Sequence, residues 1–562
     1  MTDDPVLRER LRAWLGIIRR DLRGKPMVVL EGGLMVVETP SRKNAGAHYT
    51  PKALAEEVVL HALEPLVFSP GPYQTPNRDE WVPLSSDALL ELKVADIACG
   101  SGAFLVAAAR YLADRLVESW QRDGRAADLL NKWSSQGLDE RESRLRLRTA
   151  AVREVVAQCL YGADINGMAV EMCKLSLWLV SLDPRKPFSF VDDKIFHGNS
   201  LLGLTSLRQL EELHIDPRPA PAHEQTQMEF RGNVLEERLD LRHKIDKAAQ
   251  LRRRLAEEII ENDPQRSAAA KNRQMEQLDE LTRDLTKIAD GVIAAGLPLG
   301  GKSGKKLDEA YENLRIAVGK EYPRPGEAAD SSMLDAIVDR GLTIERLSPG
   351  IEADQDRWHP LHWCLAVPEV MQHGGFDAII GNPPFLGGKK ISIAMGSPVR
   401  EWLVHQLAGG TAGNADLVAY FFLRADVLLR GAGTLGLIAT NTIAQGDTRE
   451  VGLDRMTDAG FTIMRAIQSR SWPARSAALE FAGVWGTRAG IGADVAREAD
   501  GVPVMAITTL LEAAGHVSGQ PKRLDHNRGI CFIGMNVNGI GFLMDPEEAR
   551  SLISDDPFKG RP

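Results

Sequence analysis

Phe376-Asp377-Ala378-Ile379-Ile380-Gly381-Asn382-Pro383-Pro384-Phe385 is the stretch from which the rest of the chain can be read. Its first six residues form a continuous, β-branched run rather than an alternating one, which predicts a buried parallel strand. The two prolines cannot extend a ladder and fix the backbone, so the strand ends there. A side-chain amide (Asn382), a proline carbonyl (Pro383) and a ring (Phe385) are thereby held at the carboxyl end of a strand, where open α/β sheets bind ligands. A planar exocyclic amine offers two N–H donors, which the Asn382 oxygen and the Pro383 carbonyl could accept. Accepting both turns the nitrogen lone pair out of the ring plane and makes it a better nucleophile, while Phe385 can stack on the flat base. Asn and Pro also favour turns, so a plain strand-ending turn is the alternative reading of the tetrapeptide alone.

What lies upstream gives that corner its context. Leu92 to Leu105 reads as a strand ending at Ala98, a turn Cys99-Gly100-Ser101-Gly102, and a helix from Phe104 to Val117. Glycines allow a ligand close to the backbone, and a helix N-terminus favours negative charge. The stretch is not Gly-x-Gly-x-x-Gly and has no Walker lysine, so a nucleoside-like ligand fits better than a dinucleotide. Leu160-Tyr161-Gly162-Ala163-Asp164 repeats the pattern, ending a strand on a carboxylate suited to ribose hydroxyls. Asn199, in Phe196-His197-Gly198-Asn199-Ser200, stands at a third strand end. Asn can read an adenine edge, though a turn asparagine explains it as simply. Ahead of all three, Gly46-Ala47-His48-Tyr49-Thr50-Pro51 reads as a helix start, with Thr50 as N-cap and Pro51 at the first helical position.

Composition bounds the function classes. The 562 residues exceed one domain and are 44% hydrophobic, enough for a sizeable core. A net charge of −9 excludes polyanion binding by bulk charge and asks for a local basic surface instead. The five cysteines (Cys99, Cys159, Cys173, Cys364, Cys531) form no Cys-x-x-Cys pair, so no metal site and no disulfide framework is expected. No signal pattern and no run of about 18 apolar residues occurs, which predicts a cytoplasmic protein without membrane contact.

The remaining chain is read as follows. Val6 to Leu22 gives an amphipathic helix, and Met27 to Val37 a hairpin-like piece. Residues 205–360 interrupt the α/β rhythm with two long antiparallel helices, apolar at Leu241, Ile245, Ala248, Leu255 and Ile259 and at Met275, Leu278, Leu281, Leu285 and Ile288. Arg252-Arg253-Arg254 reads as a solvated face. Gly387-Gly388-Lys389-Lys390 and Gly409 to Gly413 read as mobile loops, residues 488–503 as a linker, and 504–562 as a new module of short strands and a helix from Pro546.

Taken in order, these motifs resemble the class I S-adenosylmethionine-dependent DNA adenine-N6 methyltransferases, nearest the type IIG restriction–modification methylases and the phage-defence methylases of phage growth limitation, BREX and DISARM systems. The resemblance covers about residues 44–545. It implies an α/β fold: a Rossmann-like sheet with helices on both faces, a long helical insertion and the start of a C-terminal recognition domain. His48, Tyr49 and Thr50 match the first cofactor motif. Asp96, Ala98, Cys99, Gly100, Gly102 and Phe104 match the cofactor loop, Asp164 and Ile165 the ribose acid and its neighbour, and Asn199 the position against the cofactor adenine. Asn382, Pro383, Pro384 and Phe385 match the catalytic motif, with Asn382 also beside the cofactor, and Trp472-Pro473 resembles the later aromatic element beside the flipped base. The implied organisation is an N-terminal region (1–90), a cofactor half (91–205), an insertion (206–360), a catalytic half (361–490) and the beginning of a recognition domain (491–562). The implied partners are double-stranded DNA and further defence subunits or a separate recognition domain. No nuclease domain is expected before the motifs, and the region from 504 resembles only the opening of a recognition domain. Rival readings are protein glutamine methylation, usually with Tyr where Phe385 stands, exocyclic cytosine amines as acceptor, and a cofactor-binding scaffold.

Overall fold

The computed structural model describes residue 9 and residues 50–181, 191–217, 234–257, 264–351, 355–473, 480–492 and 494–514. His48 and Tyr49, the helix and hairpin read in residues 6–37, and the strands and helix read beyond 514 lie outside them. By its contacts the chain separates into Met1–Ala513 and Ala514–Pro562, and the first unit is described here.

Among the described residues nine strands build one mixed, mostly parallel sheet: β1 Val94–Asp96, β2 Leu160–Asp164, β3 Ile195–His197, β4 Phe376–Gly381, β5 Leu429–Thr440, β6 Thr462–Ser471, β7 Glu480–Thr487, β8 Arg497–Ala499 and β9 Val502–Val504. Their spatial order is β3-β2-β1-β4-β5-β7-β6-β8-β9. β3, β2, β1, β4 and β5 run parallel, and β7 lies antiparallel between β5 and β6. The chain winds one way from β1 to β3 and the other way from β4, so the order reverses between β1 and β4. Crevices at such reversals, at the carboxyl ends of the strands, are where open α/β sheets bind ligands.

β4 is buried along its whole length, as its unbroken apolar run predicts. Its alternate residues feed two layers. Ala378 and Ile380 join the cluster under helices α1 (Lys52–Leu63), α2 (Ala103–Arg122) and α3 (Gly167–Val180), whereas Phe376 and Ile379 join the cluster on the opposite face. α1 is tied to the sheet directly: Thr434 Oγ1 donates to the Ala62 carbonyl at 2.7 Å and Trp485 Nε1 to the Val58 carbonyl at 3.0 Å.

The insertion contains α4 (Leu241–Glu257) and α5 (Pro264–Gly296). Ala248, Leu255 and Leu278 share a small cluster and Lys244 pairs with Asp284 at 3.5 Å, the order of an antiparallel pair. The reading of Arg252 as part of a solvated face is corrected. Arg252 is only 2% exposed. Its Nε reaches both Glu369 carboxylate oxygens at 3.0 and 2.8 Å, and a terminal nitrogen donates to the Asp193 carbonyl at 2.7 Å. Lys271 of α5 grips the Asp193 carboxylate at 2.7 Å. Tyr161 of β2 donates to Glu369 at 3.2 Å. The two helices therefore clamp the entry to β3 through buried charges.

Two further expectations are corrected. Residues 488–503 are not a bare linker, since β8 and β9 extend the sheet there. Gly388 opens a helix, α6 (Gly388–Met395), instead of a loop. A Cβ on Gly388 would lie 2.3 Å from the Asn414 carbonyl carbon, so the glycine serves close packing. The following α7 (Leu417–Leu428) is the buried helix expected, capped by Asp416, whose Oδ1 accepts the Val418 N–H at 3.1 Å.

Candidate active site

Three carboxyl ends converge at the reversal. β1 ends on Asp96, β2 on Asp164 and β4 on Gly381, directly before Asn382. A Cβ on Gly381 would lie 2.7 Å from Asp96 Oδ1, so only glycine lets β4 pass this close to β1. Sequence reasoning did not single out Gly381; its place before Asn-Pro-Pro was the available signal.

Asp96 is 1% exposed. Its Oδ1 accepts the Ala98 N–H at 3.1 Å, and Oδ2 has no hydrogen-bond partner among the described residues. Burial pushes its carboxyl up to about 8; the Ala98 N–H opposes this and the nearby Asp164 charge adds to it. Asp164 is raised too, by burial, and is opposed by the N–H groups of Asn166 and Gly100. These donate to its Oδ1 and Oδ2 at 2.8 and 2.9 Å. Each carboxylate oxygen retains a further acceptor position. Asp164 thus fastens the glycine turn to the end of β2 and still has capacity for a ligand hydroxyl.

The turn requires its glycines. Gly100 and Gly102 have φ of 52° and 85°. At Gly102 a Cβ would meet Cys173 Sγ at 2.8 Å, while at Gly100 the space is open. α2 begins at Ala103, with Phe104 3% exposed inside the core. The side chains of Cys99 and Phe104 are therefore buried.

Asn199 follows β3 and is 4% exposed. Its Oδ1 accepts the Leu201 N–H at 3.0 Å, and its main chain bridges to Pro360 through His359 and Leu361. Ile165, 38% exposed, accepts from His197 Nε2 at 3.0 Å, and the His197 and His359 rings lie 5.3 Å apart. Burial, then the His197 charge, lowers the His359 pKa.

At the corner, Pro383 is buried and Pro384 and Phe385 are half-buried. Phe385 packs against apolar clusters on both faces of the sheet. Asn382 Nδ2 donates to Thr50 Oγ1 at 3.1 Å, and Asn382 Oδ1 is buried without a hydrogen-bond partner among the described residues. This corrects the reading of Thr50 as helix cap. Pro51 occupies the N-cap position of α1, and Thr50 orients the Asn382 amide. Trp472, 6% exposed, meets Phe481 edge to face at 5.5 Å, inside the large cluster against which Phe385 also packs.

A mixed, mostly parallel α/β sheet brings a glycine turn, two acids and an oriented amide together at its order reversal. The chain matches the Eco57I restriction-modification methylase family over residues 158–457, more than half its length, and belongs to that family. Among curated relatives, a type II restriction enzyme and methyltransferase of Methanocaldococcus jannaschii is 22% identical over 457 residues, covering 74% of this chain and 34% of that protein. The Escherichia coli type II restriction enzyme and methyltransferase Eco57I is 29% identical over 123 residues, 20% of this chain and 11% of that protein. The chain thus spans about a third or less of the length of these relatives. Among solved structures, the type IIL restriction-modification enzyme MmeI in complex with DNA aligns over 93% of this chain and 49% of that one, at 14% identity and a TM-score of 0.40. Among the described residues no group of three or more His, Cys, Asp or Glu could hold a metal, and no helix is long and apolar enough to cross a membrane.

Proposed function

We propose that this chain is a DNA methyltransferase that transfers a methyl group from S-adenosylmethionine to the N6 amine of a flipped adenine, within a restriction–modification or phage-defence system. The observation that carries this reading is the Asn382 amide. Thr50 takes its N–H, which leaves a buried oxygen at the corner unpaired among the described residues. A buried acceptor without a partner costs about 1–3 kcal/mol, recovered when a donor arrives. An exocyclic amine is such a donor, and the Pro383 carbonyl is its second acceptor.

The residues present fit the cofactor. Open space at Gly100 admits a ligand to the backbone of the turn, and Asp164 keeps acceptor capacity for ribose hydroxyls. Ile165 and Asn199 would line the adenine, and Thr50, beside the undescribed His48 and Tyr49, would close the end nearest the corner. When bound, S-adenosylmethionine supplies an electrophilic methyl. The chain's own residues position and stack. Asn382 and Pro383 orient the amine, Pro384 holds the turn rigid, and Phe385 offers its half-exposed ring to the base, with Trp472 as the candidate second ring. Orientation of this kind is the main contribution a protein makes to a direct displacement. Stacking, about 1–3 kcal/mol per base, offsets the few kcal/mol needed to extrude an adenine. The Rossmann-like class I assignment of the sheet and the five-part organisation belong to the same proposal.

The test is incubation of the full chain with labelled S-adenosylmethionine and DNA, followed by nucleoside analysis. Label in N6-methyladenine, lost in Asn382→Ala, is the expected result. Label in a cytosine, or none in a chain that binds the cofactor, would refute the reading.

A further inference from the structure

Helix α6 leaves the site six residues after Asn382. Its path is fixed on both sides of the turn. Leu386 N–H donates to Asp416 Oδ1 at 3.1 Å, and the Leu386 carbonyl accepts the Leu417 N–H at 2.9 Å. Asp416 and Leu417 begin α7, which runs back to the start of β5. α6 therefore starts at the carboxyl edge of the sheet, the edge that holds Asp96, Asp164 and Asn382. Ile391, 1% exposed, anchors it in the core.

The opposite side of α6 is unusual. Ile393 is 75% exposed, the most exposed large apolar side chain among the described residues. Lys389 and Lys390, one helical turn before it, are both exposed, and neither has an ion pair or side-chain hydrogen bond among the described residues. Residues at i, i+3 and i+4 share a helix face, so the two charges and the apolar tip point the same way. A helix close after the corner thus carries two cations, unpaired among the described residues, around a bare branched side chain, in a chain whose net charge is −9.

We propose that this face of α6 docks on duplex DNA at the target. Lys389 and Lys390 contact phosphates, and Ile393 enters the stack at the gap from which the adenine leaves. The assignment rests on the methylation reading above. Its occupant follows from charge complementarity: two free cations suit a polyanion, and apolar wedges are the side chains that proteins insert between base steps. The wedge explains why an isoleucine is left bare beside lysines. It fills space only when a base has been removed from a stack, so it matters for paired DNA and not for a strand already unpaired.

The experiment compares full-length wild type, Ile393→Ala, Ile393→Leu and Lys389→Ala/Lys390→Ala on a random-sequence duplex and on the same strands unannealed, scored as N6-methyladenine per adenine. Ile393→Ala lowers duplex methylation about tenfold and single-strand methylation less than about threefold, and Ile393→Leu restores the duplex rate. The double lysine variant lowers the slope of log binding constant against log salt on the duplex by about two, from roughly 0.9 per phosphate contact. Equal losses on both substrates, or no loss on the duplex, would overturn the wedge. An unchanged salt slope would overturn the phosphate contacts. Wild type that methylates neither substrate would instead bring down the methylation reading, and this inference with it.

Discussion

Thr50 Oγ1 and Asn382 Nδ2 meet at 3.1 Å across 332 residues of sequence. This bond sets which way the Asn382 amide faces, and so which atom is presented at the corner. Thr50→Val keeps the shape and removes the acceptor. A lost bond of this kind together with an unsatisfied buried N–H is worth about 1–3 kcal/mol. If the bond orients the amine only in the reacting complex, kcat falls roughly 5- to 150-fold while cofactor affinity stays within about twofold. Thr50→Ser restores the rate. Equal losses in cofactor binding would show that Thr50 acts elsewhere.

Asp164 is the test of the cofactor site. Its carboxylate fastens Gly100 and Asn166, so Asp164→Ala removes both an anchor and an acceptor. S-adenosylmethionine affinity measured by calorimetry should fall about 5- to 150-fold, equivalent to about 1–3 kcal/mol. Unchanged affinity in a folded variant would exclude the site.

Asp96 makes a prediction about pH. Its folded pKa is raised to about 8 from an ordinary 3.8, so between these values the folded chain holds a proton that the unfolded chain has released. Stability from this group is full below about pH 4 and is lost as pH rises through about 8. Asp96→Asn mimics the protonated form and does not titrate. The difference in Tm, wild type minus variant, should become more negative from pH 5 to pH 8.5. A constant difference would show that the carboxyl is ionised in the folded state.

The buried Arg252–Glu369 pair gives a stability prediction. Arg252→Met strands the Glu369 carboxylate and should destabilise by about 3–5 kcal/mol, whereas Arg252→Met/Glu369→Leu removes both charges and should recover most of the loss. Urea unfolding of the three proteins measures this. Arg252 and Lys271 hold Asp193, two residues before β3 and six before Asn199.

What was legible in the sequence was local. β2 and β4 match the runs Leu160–Asp164 and Phe376–Gly381 because a strand buried on both faces has to be apolar throughout. The glycine turn was legible because positive φ asks for glycine. What stayed hidden depends on partners distant in sequence. Arg252 looks like its neighbours Arg253 and Arg254 until Glu369 is placed beside it. Thr50 carries the side chain of an N-cap, and only the packing of α1 on the sheet turns it toward Asn382. β8 and β9 are three residues each, too short for periodicity to register against a Gly- and Ala-containing stretch.

β1 and β4 lie side by side, with Val94 opposite Ala378 and Ala95 opposite Ile379, although the whole insertion separates them in sequence. During synthesis the cofactor half leaves the ribosome with that edge of β1 unpaired, its backbone donors and acceptors open until nearly 300 residues more have been made. Such distant pairings are slow to form, and open strand edges attract other chains. The β1–β4 pairing therefore waits until the whole insertion has been made. A chain that stops within the insertion therefore carries the glycine turn and Asp164 without the Asn382 corner, and the two halves of the proposed site meet only once β4 has paired with β1.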